Sequence, residues 1–363
     1  MPAMIAAITA TGAVTSVGLT AAASCAAIRA DVSRPRPIEF PFVDAETQEL
    51  VPLTGHPVVG YTDGFQLLGR WIRLARGAMA DLLAQPGVPP AEDAAFWGRT
   101  ALAAVTPRPD DDVFLTEAGG AEAAIQADFV GLLPKVLRIP FAQTGVELVP
   151  RAHAGAILAA EAWLARLGPK VDRVLVLAVD SLLDPLLLQK LAANGRLKSD
   201  DDPNGLMPGE AAAAFLLEAP QSARRRGVRV EAAILGAASG VEAAGDGGEP
   251  ACSGRALASS FTRLLDGLRP KQPFSGDLVL DLNGEVWRAR DWGSALVRVG
   301  RRLGDHALHL PATSLGDTGA ASGALGICFG VHLLRRGVAR GDVVVLFRSD
   351  AGEVACLALG HPS

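Results

Sequence analysis

PATSLGDTGAASGALGI, residues 311–327, sets a turn at Leu315-Gly316, an aspartate at 317, and then a run of Gly, Ala and Ser. Such side chains bury little surface each. They suit a helix only where its neighbours approach closely on every side, in the middle of a protein. The run opens a longer unit: TGAASGALGICFGVHLLRRG (318–337), then GDVVVLFRSD (341–350), then GEVACLALG (352–360). A second unit reads alike: HAGAILAAEAWLARLG (153–168), VDRVLVLAVDS (171–181) and GEAAAAFLLEA (209–219). Each is a small-residue helix, a fully apolar strand, and a strand opening on Gly-Glu, with nearly equal spacing. MIAAITATGAVTSVG (4–18) and DLVLDLNGEVWRARDWG (277–293) are expected to supply matching upstream strands.

Apolar strands alternating with helices predict an α/β protein whose sheets are covered on both faces. Two such helices back to back between two sheets give a five-layer αβαβα sandwich with internal duplication. The expected halves are residues 1–228 and 229–363, intertwined as one unit. Composition agrees. Of 363 residues 49% are apolar but only 5% aromatic, and 40 are Gly, so the core must be Ala, Leu and Val packed closely.

The net charge of −5, with no basic stripe, excludes nucleic acid as a partner class. Cys25, Cys252, Cys328 and Cys356 are far apart, without metal-ligand or CxxC spacing, so free thiols and a cytoplasmic setting are expected. The apolar N-terminus has no basic residue before Arg29 and reads as a buried strand and turn rather than a leader. No stretch is long and apolar enough to predict a membrane span. No cofactor or metal motif is present.

The order of motifs resembles the thiolase superfamily, in its β-ketoacyl-[acyl-carrier-protein] synthase branch. ITATGAVTSVGLTAAASCAAIRA (8–30) resembles the opening strand, turn and helix. NGLMPGEAAAAFLLE (204–218) resembles the Pro-Gly-Glu strand. LVLDLNGEVWRARD (278–291) resembles the approach to the first catalytic histidine, and TSLGDTGAASGALG (313–326) the segment bearing the second. The resemblance implies the αβαβα fold, but the catalytic set is missing. The cysteine nucleophile falls on Ala152, in VPRAHAGAIL (149–158). The first histidine falls on Asn283, the second on Asp317, and the lysine on Ala312. The threonines that would face a pantetheine arm become Glu285 and Trp287. An alanine forms no thioester.

Each remaining candidate has a plain reading. Asp317 is expected to cap its helix. His153 is expected to sit neutral at a helix N-terminus. Asn283 keeps an amide suited to an oxyanion. Glu210 needs a new partner once the lysine is Ala312. Cys252, in PACSGRAL, comes too late in the order to be the nucleophile. Asp110-Asp111-Asp112 and Asp200-Asp201-Asp202 read as solvated loops rather than cation sites. Arg224-Arg225-Arg226 should cover a helix end. Trp287 is expected in the core, or plugging the old tunnel.

The resemblance therefore implies a ketosynthase-like protein without the Cys/His/Lys/His set, non-catalytic, and acting as a dimerising binding or accessory subunit. The dimer would pair strand 171–181 across a two-fold axis, as a homodimer or a heterodimer with a related ketosynthase. Acyl-carrier protein or another protein is the expected partner. The alternatives are an acyltransferase or thioester hydrolase with a site rebuilt from His153, Asn283 and Asp317, and an accessory factor of a bacterial secretion system.

Overall fold

The computed structural model describes residues 3–43, 49–142, 145–199, 203–243, 252–268 and 272–362. Asp200, Asp201 and Asp202 lie outside these. The strands are β1 (Ala6–Thr15), β2 (Arg36–Val43), β3 (Leu50–Gly55), β4 (Thr100–Val105), β5 (Val146–Val149), β6 (Arg173–Ser181), β7 (Glu210–Glu218), β8 (Ala232–Val241), β9 (Phe274–Leu280), β10 (Leu303–His309), β11 (Asp342–Arg348) and β12 (Glu353–Gly360). β2 and β3 form a small separate hairpin. The other ten run in the order β10-β9-β11-β12-β8-β1-β7-β6-β4-β5.

That order is a duplication. Read outward from the β1–β8 seam, both halves pair antiparallel twice and then parallel twice. Only three residue pairs, Ala6–Ile234, Ala7–Ala233 and Ile8–Ala232, join β1 to β8. The topology corrects the expected match of upstream strands. The counterpart of β1 is β8, and β9 corresponds to β4.

Alternate strand residues sort into separate cores, as the two-residue period of a strand requires. Val174, Val176 and Ala178 share one core with Val343, Val345 and Phe347 from the other half. The helices Gly155–Leu164 and Ala321–Arg335 lie in that same core, between the two five-stranded halves. Leu175 and Leu177 face the helix Leu67–Leu83 on one outer side. Val344 and Leu346 face the helices Arg255–Leu268 and Val286–Val299 on the other. These are the five expected layers.

The glycines of the second central helix set its distances. A Cβ at Gly326 would lie 2.9 Å from both Phe347 and Val345, and one at Gly330 would lie 2.8 Å from Leu359. One at Gly323 would lie 2.5 Å from the carbonyl oxygen of His153 at the start of the first central helix. Among the described residues no helix is long and apolar enough to cross a membrane.

The strand expected to pair across a two-fold axis is not free to do so. β6 is hydrogen-bonded to β4 on one side and β7 on the other. A run buried on both faces belongs to the middle of a sheet, and here it does. Among the described residues β5 is the edge strand of that half, bonded only to β4.

Candidate functional site

The chain turns from β5 into the first central helix through Pro150, Arg151 and Ala152. Ala152 has φ +47°, in the left-handed region, and its N–H donates to the Thr106 carbonyl at 3.1 Å. Ala152 is half-buried, and its side chain is a methyl group. The left-handed conformation costs an L-residue about 1–2 kcal/mol, which glycine avoids. Ala152→Gly is therefore expected to raise unfolding stability by about 1 kcal/mol. A loss of stability in chemical denaturation would contradict this reading of the turn.

The next residue, His153, is buried and meets the end of the Gly316 turn. Its Nε2 donates to Asp317 Oδ1 at 2.8 Å. Asn283 donates to Asp317 Oδ2 at 2.6 Å and to Glu285 Oε2 at 2.9 Å. The structure thus brings Asn283 and Asp317 together with His153, whose chain neighbour is Ala152. Ala312 lines a small recess with His153, Asn283, Asp317, Leu325 and Phe347.

Asp317 also accepts from the Gly319 N–H at 2.8 Å, a local turn contact ahead of the helix Ala321–Arg335, which it does not cap as expected. The amide at Ala320 is taken instead by Asp180, at 2.8 Å. Burial pushes Asp180 up to about 7, against the pull of those amide hydrogen bonds and of His153.

The expected neutral His153 is corrected. Burial alone would lower its pKa, but the attraction of Asp317 and their hydrogen bond outweigh burial and the repulsion of Arg288, so the imidazolium is favoured. For Asp317, burial would raise the pKa. His153, Arg288 and Asn283 overcome it and hold the carboxyl well below its usual range. This is a buried ion pair rather than a histidine resting on a helix dipole.

Arg288 completes the cluster, and sequence reading missed it. Its Nη1 donates to Asp281 at 2.8 Å and to the Arg348 carbonyl at 2.8 Å. Its Nη2 donates to Asp350 at 2.6 Å and lies 3.5 Å from His153 Nδ1. Arg196 ties Glu285 and Asp350 together from outside, at 2.6 and 2.8 Å. The available signal was polar residues directly after fully buried strands: Asp281 after β9, Ser349-Asp350 after β11, and Asp180 within the last turn of β6.

These contacts limit the chemistry. Nε2 of His153 is spent on Asp317, and Nδ1 faces a guanidinium, so neither nitrogen has a lone pair ready for a substrate proton. Both hydrogens of the Asn283 amide go to carboxylates, leaving none for an oxyanion.

Trp287 is neither core nor plug. It is half-buried, with the guanidinium groups of Arg288 and Arg348 at 4.4 and 5.1 Å from its ring. It lines an open cleft of about 1430 Å³ with Arg196, Arg290, Asp350 and Cys252. Arg288 and Asp350 stand between this cleft and His153.

Glu210 has found its replacement partner. Arg70 reaches it at 3.0 Å, and Thr62, Val58 N–H and Ser181 donate as well. Asp110 caps a short helix and pairs with Lys190, while Asp111 accepts from Gly119, Ala121 and Thr116. Arg226 pairs with Glu218 and Arg225 with Asp172. Cys252 is exposed; Cys25, Cys328 and Cys356 are buried. Among the described residues no group of three or more His, Cys, Asp or Glu is placed to hold a metal ion.

No protein-family model and no curated protein sequence matches the chain. Solved structures do. An oxazolomycin ketosynthase domain from Streptomyces albus JA3453 superposes with a TM-score of 0.80 at 14% identity, covering 99% of this chain and 74% of that one. A type II PKS acyl-carrier protein in complex with its ketosynthase gives 0.78 at 12% identity, covering 100% of both chains. The ishigamide ketosynthase/chain length factor gives 0.74 at 19% identity, covering 99% of both. The fold is the thiolase-like fold of the ketosynthases.

Proposed function

We propose that this chain, built on the ketosynthase fold, performs no condensation and serves as a dimerising binding or accessory subunit. The observation that supports this most is the His153–Asp317–Asn283–Arg288 network, with an alanine at the adjoining position 152. A ketosynthase-type reaction needs a nucleophile at that position and groups that exchange protons or stabilise an oxyanion. Here His153 Nε2 and both amide hydrogens of Asn283 are directed at neighbouring protein carboxylates. The fold is shared with a ketosynthase/chain length factor and with a ketosynthase bound to its acyl-carrier protein. Those neighbours support a related ketosynthase or an acyl-carrier protein as the partner. An accessory role beside a bacterial secretion system is the variant in which the partner is a different protein. The proposed dimer would use the edge of β5, since both edges of β6 are taken among the described residues.

The second reading is an acyltransferase or thioester hydrolase with a rebuilt site, favoured by the cavity beside His153 and Asp317. Incubation with radiolabelled acyl-CoA and acyl-acyl-carrier protein separates the two. The expected result is no stable protein-bound label and no thioester hydrolysis above the uncatalysed rate. Label, or turnover, that disappears in His153→Ala would establish the second reading.

A further inference from the structure

The helix Ala321–Arg335 begins beside His153 and ends, after 15 residues, roughly 22 Å away. At that far end, between the helix terminus, the stretch entering β8 and the stretch leaving β12, lies an open, shallow bowl. It is lined by Arg229, Glu231, Leu334, Arg335, Arg336 and His361. Three guanidinium groups there face one carboxylate. Glu231 stands between Arg229 and Arg335 and closes on neither. The two Nε atoms are 3.7 and 3.5 Å from its oxygens, and Oε2 accepts no hydrogen bond among the described residues. Arg336 is exposed and makes no ion pair among the described residues. Each guanidinium carries five N–H donors. Among the described residues none of the three gives one to a protein acceptor.

A fourth arginine, Arg29, acts on the same region. Burial lowers the pKa of His332, and repulsion by Arg336, Arg335 and Arg29 lowers it further. Basic side chains in the last turn of a helix ordinarily offset the partial negative charge of its carbonyls. That accounts for Arg29 and Arg335, which end their helices. It leaves Arg229, which belongs to no helix, and a second arginine, Arg336, at an end already served. Two further acids lie on neighbouring stretches. Asp31 accepts from Thr313 Oγ1 at 3.3 Å, and Asp342 opens β11. Neither lines the bowl.

We infer that this bowl binds the phosphoryl group of a phosphomonoester. Three arginines against Glu231 leave the lining with two positive charges in excess, and a phosphomonoester carries about −1.5 to −2 at neutral pH. Its three terminal oxygens point in more directions than the two of a planar carboxylate. It can therefore accept from Arg229, Arg335 and Arg336 where Glu231 reaches none. Val230 and Pro362 supply apolar contacts for the rest of the ligand. A Cβ built at Gly337 would meet nothing within 4 Å, so the approach is open. A soluble phosphomonoester and a lipid headgroup offer the same chemistry, and the experiment distinguishes them. The inference does not rest on the accessory-subunit reading, and its readout is binding rather than acyl chemistry.

The probe is phenyl phosphate, with methyl phenyl phosphate, a diester of single charge, as control. Isothermal titration calorimetry on the full chain near neutral pH is expected to show the monoester binding at least about tenfold tighter, and weakening with salt. Arg229→Ala with Arg336→Ala should lose at least about tenfold in affinity, with the melting temperature unchanged because both side chains are exposed. Glu231→Gln should tighten binding about threefold or more by removing the competing charge, a gain that a damaged fold would not give. Phenyl phosphate binding without vesicle binding upholds the site and assigns it to a soluble ligand. Sedimentation with phosphatidylcholine vesicles carrying phosphatidylinositol 4-phosphate, lost in the double variant, upholds it and assigns a lipid headgroup. Equal binding of monoester and diester, or affinity unchanged in the double variant, overturns the inference. So does the absence of both heat at about 10 mM ligand and vesicle binding. Equal sedimentation with phosphatidylglycerol vesicles, whose phosphate is a diester, overturns it as well.

Discussion

Replacing Asp317 by alanine is expected to cost about 3–5 kcal/mol of unfolding stability at neutral pH, the scale on which removing one member of a buried ion pair acts. Asp317 is 3% exposed. Without it, His153 would face Arg288 with no counter-charge on the imidazole, and Asn283 and the Gly319 N–H would each lose an acceptor. Orphaned donors in a buried site add their own desolvation cost. The double variant His153→Ala, Asp317→Ala should lose less than the two single losses added together, because the uncompensated charge goes with its partner.

The pH dependence follows from the two shifts. Asp317 is held below its ordinary 3.8, so its contribution is present above that value and is lost as pH falls toward its folded pKa. His153 is held above 6.5, so its contribution is complete below 6.5 and is lost as pH rises through its folded pKa. The pair therefore acts most fully in the mildly acidic range between, and Asp317→Ala should flatten both flanks of the stability profile. A loss under about 1 kcal/mol at pH 6, comparable to an exposed pair, would show that the network does not hold the site closed.

Gly323→Val is expected to cost about 3 kcal/mol, at the upper end for overpacking a core. The atom it would strike is a backbone oxygen, that of His153, 2.5 Å from where the new Cβ would sit, with Ala156 Cβ at 3.6 Å. Neither can swing aside as a long side chain would. The helices must part, and the movement carries His153 away from Asp317. Gly293→Ala supplies the contrast, since its Cβ would meet nothing within 4 Å. There the gain in helix propensity should stabilise by roughly 0.5–1 kcal/mol. Equal effects at the two positions in urea denaturation would mean that close approach of the central helices is not what the small residues serve.

Much of this architecture was legible in the chain. Residues 174–179, 211–217, 343–347 and 354–359 are apolar at every successive position, which only a strand covered on both faces allows. Gly323, Gly326 and Gly330 recur on the faces of one helix, and each touches something a Cβ would strike. The residues that the resemblance sets against the family's cysteine, lysine and two histidines, Ala152, Ala312, Asn283 and Asp317, could be read directly from the sequence.

Other expectations failed where position in the sheet decided them. A buried strand carries no local mark of which edges are free, so β6 looked fit to pair across a dimer although β4 and β7 occupy it. Strands 4–18 and 277–293 looked equivalent because each is apolar and precedes a helix unit, but pairing places β1 opposite β8 and β9 opposite β4. The state of His153 was likewise beyond local reading. Its partners Asp317 and Arg288 stand 164 and 135 residues away along the chain.

The amino-acid order alone determined the layers and the repeat, because periodicity and residue size are local properties. Tertiary structure decided which charges meet. In a buried site the protonation state and the spare hydrogen-bonding capacity of a side chain depend on groups brought within a few ångströms by the fold, and no stretch of sequence contains them together.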